Sequence, residues 1–549
     1  MSEELQQKLR SQLWTVANTL RGNMSASDFM YFTLGFIFYK YLSEKIELYA
    51  NEELKEDGMT FKEAWESDDE ELKVDLKEAC VQDLGYFVEP EYLYSTIISM
   101  IDRKENILPA LERSLKKIED STIGQESEDD FGGLFSDIDL ASPKLGKTAD
   151  DKNKLISDVL VALNGIDFGL KDAQEIDILG DAYEYMIGQF AAGAGKKAGE
   201  FYTPHDVVQL IATMIEPYDG TLYDPCCGSG GMFIQSAALV KSKQGDINRI
   251  NVYGQEKEPA TYRLAKMNLA LRGISHNLGE TSDSSFLNDL HKGLYFDYIM
   301  ANPPFNLKSW YDSTLEHDPR WADYQTPPES NGNYAWILHI LSHLKKQSGV
   351  AGFLLANGAL NDSDTLEIRK KLIQNDKVEA IIVLPRELFI TTDISVTLWI
   401  LNKNKKARVV EQNGLLKRYR DREREILFMD LRTWTENPVK GESKKKVMLD
   451  TAQIERAADI YHTWQSEGTD GKNYEVPELY RSVGIAEIEQ NNWALTPSKY
   501  IEFIDHDLEI DYEKEMSRIQ SEMQEVMKQE KKSQQMLEDA FRGIGYGIE

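Results

Sequence analysis

Apolar residues near the start of the chain recur at three- and four-residue steps. Leu5, Leu9, Leu13, Val16 and Leu20 form one stripe, the period of an amphipathic helix. Gly22-Asn23 is expected to end that helix, and Ser-Ala-Ser-Asp at 25–28 reads as a capping box for the next. The run from Phe29 to Tyr39 is apolar nearly all round, as in a buried helix. The first 160 or so residues continue in helical texture, broken by acidic loops at 66–71 and 126–133, and a glycine-rich loop follows at 193–204. From about residue 221 the pattern changes. Short apolar runs at 221–224, 250–254, 296–301, 350–356, 379–385 and 396–401 alternate with helical stretches near 232–242, 259–273, 334–346 and 364–374. That alternation predicts a parallel α/β sheet, with a short third strand placed within 279–286 and a last one at 426–430. A long polar helix is predicted over 511–541. Its Met516, Ile519, Met523 and Val526 make a narrow seam that suits either another helix or a fold back onto its own domain.

At 549 residues the chain is too long for one core, and two to four domains are expected. Apolar residues at 41% and charged residues at 28% describe a globular protein rather than a disordered one. No secretory signal pattern opens the chain, and the longest apolar run is too short to cross a bilayer. Cys80 and the adjacent Cys226 and Cys227 offer neither pairing nor metal-ligand spacing, so no metal and a reducing cytoplasm are expected. With 62 basic against 93 acidic residues the net charge is −31, which argues against a protein that coats nucleic acid by itself. An enzyme on nucleic acid whose grip comes from a basic partner remains compatible.

Three motifs then converge. Asp224-Pro-Cys-Cys-Gly-Ser-Gly-Gly231 lies where the first strand hands over to a helix, so its glycines admit a ligand to the backbone and to free N–H groups of the helix N-terminus. It lacks the Gly-Lys-Ser/Thr ending of a phosphate loop, which disfavours ATP. Glu256 closes the second strand, where a carboxylate can accept from both ribose hydroxyls of an adenosine-type cofactor. Asn302-Pro303-Pro304-Phe305 ends the strand at 296–301, at the edge where ligands of open α/β sheets bind. An exocyclic amino group is a poor nucleophile because its lone pair is delocalised into the ring. Two acceptors on its N–H bonds, the Asn302 side-chain oxygen and the Pro303 carbonyl, would push the nitrogen toward tetrahedral geometry. The prolines stiffen the backbone and remove competing donors, and Phe305 offers a face on which a base can stack.

The combination of Asn-Pro-Pro-Phe with the glycine turn resembles the methyltransferases that act on adenine N6 in DNA. Gly-Lys-Lys-Ala-Gly-Glu-Phe-Tyr-Thr-Pro ending at 204, the stretch 177–191 and the N-terminal 13–29 narrow the resemblance to the modification (M) subunit of type I restriction-modification systems, over nearly the whole chain. The resemblance implies a Rossmann-like sheet binding S-adenosylmethionine, with a helical N-terminal domain (1–165), a methyltransferase domain (166–425) and a C-terminal region (426–549) ending in a helix for subunit contact. It implies that Glu200, Phe201, Tyr202, Thr203, Pro204, His205 and Asp224 bind the cofactor, that Gly228, Ser229, Gly230 and Gly231 approach its methionine part, and that Glu256 takes the ribose. Asp283 is expected at the cofactor's adenine, with Glu280 as rival because the segment lacks the usual Gly-Asp opening. Asn302, Pro303, Pro304 and Phe305 would receive an adenine flipped out of double-stranded DNA. Partners implied are a separate specificity (S) subunit shared by two M chains and a restriction (R) subunit. A protein-glutamine methyltransferase and an inert methyltransferase-fold scaffold stay open as alternatives.

Overall fold

The structure is a computed structural model and describes residues 2–20, 26–125, 127–168, 170, 173–193, 203–243, 245, 249–389, 395–412, 414–435, 447–504 and 512–543. The break at Gly22-Asn23 and Ser25 of the capping sequence lie outside these residues, as does most of the glycine-rich loop. Helix α1 (Ser2–Leu20) buries Leu9, Leu13 and Val16 as its stripe requires. Helix α2 (Ala26–Glu53) is buried without a break from Phe32 to Ser43, which explains its lack of a polar face. Further helices to Asn164 and then α3 (Ala173–Gly193) complete a first core, in which Phe38, Tyr94, Leu160 and Tyr183 are buried together.

The second half is built on a sheet. In chain order come α4 (His205–Ile215), β1 (Gly220–Asp224), α5 (Gly231–Ser242), β2 (Ile250–Gly254), α6 (Pro259–Leu271), β3 (His276–Asn277), β4 (Tyr298–Ala301), α7 (Asn333–His343), β5 (Val350–Ala356), α8 (Leu366–Gln374), β6 (Val378–Val383) and β7 (Val396–Asn402). There follow a hairpin of β8 (Arg408–Gln412) and β9 (Leu415–Tyr419), then β10 (Glu425–Asp430), α9 (Thr451–Gln465), β11 (Glu475–Val476), β12 (Tyr480–Gly484) and α10 (Tyr512–Gly543). Ten strands form one sheet in the order β11-β12-β10-β6-β7-β5-β4-β1-β2-β3.

Two expectations need correction. The sheet is mixed rather than parallel: β7 runs antiparallel to both β5 and β6, and β12 antiparallel to β10 and β11. The link from β6 to β7 holds no described helix, and without a crossover helix a strand returns in the opposite sense. Residues 279–286 hold no strand. The third strand is the two-residue β3, after which Gly279 turns into the left-handed region with Leu290 packed where a Cβ would stand. Strands β10, β11 and β12 also belong to the sheet, which continues past residue 425.

Alternation along each strand sorts side chains onto two faces. Leu222, Met300, Leu354 and Leu398 join α4, α5 and α9 on one side, while Tyr223, Ile299, Phe353 and Trp399 join α7 and α8 on the other. Helix α6 is shared. Its Ala265 and Leu269 pack toward the sheet, and its Leu264, Met267 and Leu271 enter the helical core. The acidic segment near 126–137 docks on this helix: Arg263 grips Asp137 at 2.5 Å, and the Lys266 ammonium donates to the Asp129 carbonyl. No helix among the described residues is long and apolar enough to cross a membrane.

An ion pair with no solvent exposure ties the sheet to α9. Arg422 Nε donates to Glu379 Oε1 at 2.9 Å, and Gln465 Nε2 donates to the same oxygen at 3.1 Å. Glu379→Ala leaves a buried guanidinium uncompensated and should lower the unfolding free energy by about 3–5 kcal/mol, measured by urea denaturation.

Candidate functional site

Parallel pairing brings three strand ends side by side. Leu222 and Tyr223 of β1 face Tyr298 and Ile299 of β4, and Asp224 faces Gly254 of β2. Beyond these ends lies one cavity lined by Asp224, Gly228, Ser229, Gly231, Glu256, Thr203, Asn302 and Pro304 among others. Eight of the residues expected from sequence therefore meet in a single space.

The glycine turn is shaped by backbone conformation. Gly228 (φ 55°) and Gly230 (φ 85°) are both left-handed, a region that residues with a Cβ enter at a cost. Gly228 N donates to Glu256 Oε2 at 3.0 Å, and Glu258 N donates to Oε1 at 2.8 Å, so the carboxylate spans both strand exits. Gly230 caps α5 with no side-chain partner, and the first N–H groups of that 12-residue helix face the cavity end. Burial raises the Glu256 carboxyl above its ordinary range and pushes Asp224 up to about 7, with the Glu256 charge adding a smaller part. Asp224 Oδ1 accepts from Cys226 N at 2.9 Å. Burial also holds the Cys226 and Cys227 thiols well above their usual value, so both are protonated packing groups rather than nucleophiles.

At the end of β4, Asn302 Nδ2 donates to Thr203 Oγ1 at 2.9 Å. Its Oδ1 is buried and has no hydrogen-bond partner. With the amide nitrogen engaged, the oxygen is left to accept from whatever enters. A network unseen in the sequence fixes the loop that follows. Asn306 is left-handed (φ 54°); its N–H donates to Asn333 Oδ1 at 2.9 Å, and its own Oδ1 accepts from Asn331 at 3.1 Å and Asn333 at 3.0 Å. Asn tolerates this conformation better than most residues, and the paired Asn-Gly-Asn at 331–333 is the signal that could have revealed it.

Other expected residues stand elsewhere. Pro303 is buried behind the cavity wall, and Phe305 is half-buried against Phe389, edge-on at 6.2 Å, without lining the cavity. The aromatic wall is instead Phe286, Trp310 and Trp336, with Phe286 and Trp336 ring centres 4.2 Å apart. Pro204 and His205 begin α4 outside the lining, and Glu200, Phe201 and Tyr202 fall outside the described residues. Asp283 N donates to the Glu256 carbonyl at 3.0 Å, but its carboxylate is held by Asn288 Nδ2 at 2.8 Å and its neighbour Ser284 lines the cavity in its place. Glu280 is exposed. Sequence reasoning missed Glu184 of α3, which reaches the cavity beside Gly231 while bound to Arg272 at 3.3 Å. Asp289, His339 and His343 cluster behind the aromatic wall, where Arg320 donates to His339 Nδ1 and His343 Nε2 stands 3.1 Å from Asp289.

A buried diol-type acceptor, an uncapped helix start and an orphaned carboxamide oxygen beside an aromatic wall suit a nucleoside cofactor and a planar amine together. That arrangement fits an S-adenosylmethionine-dependent methyltransferase. Family comparison gives the same answer: N-6 DNA Methylase matches residues 174–508, and the HsdM N-terminal domain matches residues 9–163. The chain belongs to the N-6 DNA methylase family, and within it to the modification subunits of type I restriction-modification systems. It is 41% identical to the type I restriction enzyme HindI methylase subunit of Haemophilus influenzae over 330 residues, 59% of this chain and 68% of the relative. Against the MjaIX methylase subunit of Methanocaldococcus jannaschii it is 29% identical over 550 residues, covering 99% and 92% of the two chains. The crystal structure of a type I methyltransferase subunit from Streptococcus thermophilus superposes with a TM-score of 0.76 at 28% identity, over 90% of this chain and all of that one. DNA, rather than a protein amide, is thus the substrate class.

The buried acid gives a pH test. Asp224 keeps its proton to about pH 7 when folded, whereas an ordinary Asp loses it near ~3.9. Folding therefore binds a proton in this window, and stability from Asp224 falls as pH rises from about 4 to 7. Relative to Asp224→Asn, the wild type should lose a few kcal/mol of unfolding free energy across that range and level off above it, followed by urea denaturation at each pH.

Proposed function

We propose that this chain methylates N6 of an adenine flipped out of double-stranded DNA, and that the orphaned Oδ1 of Asn302 carries the reaction. Thr203 fixes the carboxamide, so that oxygen accepts one N–H of the exocyclic amine without having to reorient. The Pro303 carbonyl takes the second N–H, and the two acceptors draw the nitrogen lone pair out of the ring and stabilise positive charge as it grows. S-adenosylmethionine, when bound, supplies a methyl group on a cationic sulfur. Glu256 holds the ribose, and Gly228, Ser229, Gly230 and Gly231 with Asp224 surround the methionine part. The backbone bond from Asp283 to Glu256 favours Asp283 over the exposed Glu280 at the adenine end. Phe286, Trp310 and Trp336 supply faces against which the target base can stack. Glu200, Phe201, Tyr202, Pro204 and His205 complete the cofactor pocket.

Target choice belongs to a separate specificity subunit, shared by two copies of this chain, with a restriction subunit joining the full complex. Between Asp224 and Asn302 the described residues form α5, β2, α6, β3 and β4 with their connections, too little chain to add a base-reading domain. Helix α10 supports the docking role, since Met516, Ile519, Met523 and Val526 are all exposed along its seam. In domain terms, we assign residues 1–165 to the helical unit and 166–425 to catalysis, with 426–549 completing the sheet and ending in α10.

Sequencing N6-methyladenine in DNA from cells that express the chain with its specificity subunit should show methylation at one sequence pattern. Asn302→Ala should reduce it by a factor of about 10³ or more while leaving cofactor affinity within a few-fold; unchanged turnover in that variant refutes the assignment. Deleting residues 511–549 should abolish co-purification with the specificity subunit, and an intact complex would refute the docking role of α10.

A further inference from the structure

The sheet has a second functional-looking edge, opposite the cavity. There β5 begins, β6 begins and β7 ends, and their backbones are tied together: Asn402 N donates to the Lys377 carbonyl and Lys403 N to the Gly349 carbonyl, each at 3.0 Å. The pairing gathers Lys346, Lys377 and Lys403 at the mouth of a groove of about 710 Å³, whose walls include Lys292, Tyr295 and Tyr324.

These lysines differ from those beside them. Lys345 pairs with Asp297 at 2.6 Å, Lys405 with Asp376 at 2.6 Å, and Lys406 with Glu423 at 3.7 Å. Among the described residues, no carboxylate lies within 4.0 Å of Lys346, Lys377 or Lys403. The groove's own acids are mostly committed, Asp318 to Arg320 at 2.8 Å and Asp289 to His343 at 3.1 Å, which leaves Asp323 facing Lys403. Burial, with Lys377 and Lys346 close by, brings the Lys403 ammonium down to about 8. Holding like charges together with only Asp323 near Lys403 and the Tyr295 ring under Lys346 is unfavourable, and it persists in a chain of net charge −31. A ligand that brings its own negative charge would relieve it.

We propose that this edge binds backbone phosphates of duplex DNA flanking the target, as a contact surface separate from the catalytic mouth. The proposal rests on the reading of the chain as a DNA methylase. Lysine binds phosphate as a point charge, and the groove's arginine, Arg320, is already bound to Asp318. Duplex DNA is also a substrate too long to end at the cavity, and it carries one charge per ~1.7 Å of axis.

The test compares the complex of the full-length chain and its specificity subunit, carrying the wild-type chain or the triple variant Lys346→Gln, Lys377→Gln, Lys403→Gln, titrating a short labelled duplex from about 50 to 200 mM salt. The variant should bind about tenfold more weakly at the low end, with a log–log salt slope smaller by about 2–3. Affinity for S-adenosylhomocysteine should be equal in the two proteins, which establishes that the variant is folded. An unchanged salt slope overturns the proposal, including the case in which the variant instead loses a protein subunit. A wild-type complex that neither binds nor methylates duplex overturns the DNA reading beneath it and this proposal with it.

Discussion

The hydrogen bonds from Gly228 N and Glu258 N to the two oxygens of Glu256 hold the site together. Through them one carboxylate sets the spacing between the exits of β1 and β2. A shift of either exit would strand a buried charge, and that penalty makes the turn stiff. Parallel pairing with β4 then fixes Asn302 relative to both. The cavity is thus defined by register and by one acid rather than by its own lining.

Its two halves carry opposite electrostatic demands. At one end, Asp224 and Glu256 are acids forced out of water, with carboxyls raised by burial. At the other, Asn302 offers a neutral oxygen whose desolvation has already been met by the fold. In the proposed reading, cationic sulfur and neutral amine would have distinct places to rest, each beside a group that is costly to leave alone.

Much of this was legible in the sequence because the motifs sit at strand ends, and strand ends are marked by composition. Gly228 and Gly230 announce their left-handed turns, and Pro303-Pro304 announce a stopped strand. What escaped notice depends on contacts between distant segments. Phe286, Trp310 and Trp336 form a wall only after α7 packs against the sheet, and Glu184 arrives from a helix of the other core. The sense of β7 was missed for a related reason: an apolar run has the same pattern in either direction, and only the missing crossover helix distinguishes them. Phe305 was assigned a stacking face from its place beside the prolines, whereas its ring turns edge-on to Phe389.

Helix α6 lies between the two cores and is buried on both sides, with Arg263 and Arg272 adding polar links to Asp137, Asp181 and Glu184 of the helical half. Neither half owns it. The amino-terminal bundle is consequently no detachable accessory: cutting it away would strip Leu264, Met267 and Leu271 bare on a catalytic fragment and invite self-association. Any duty of that bundle in assembly is mechanically joined to the methyl-donor pocket, only a helix's width distant.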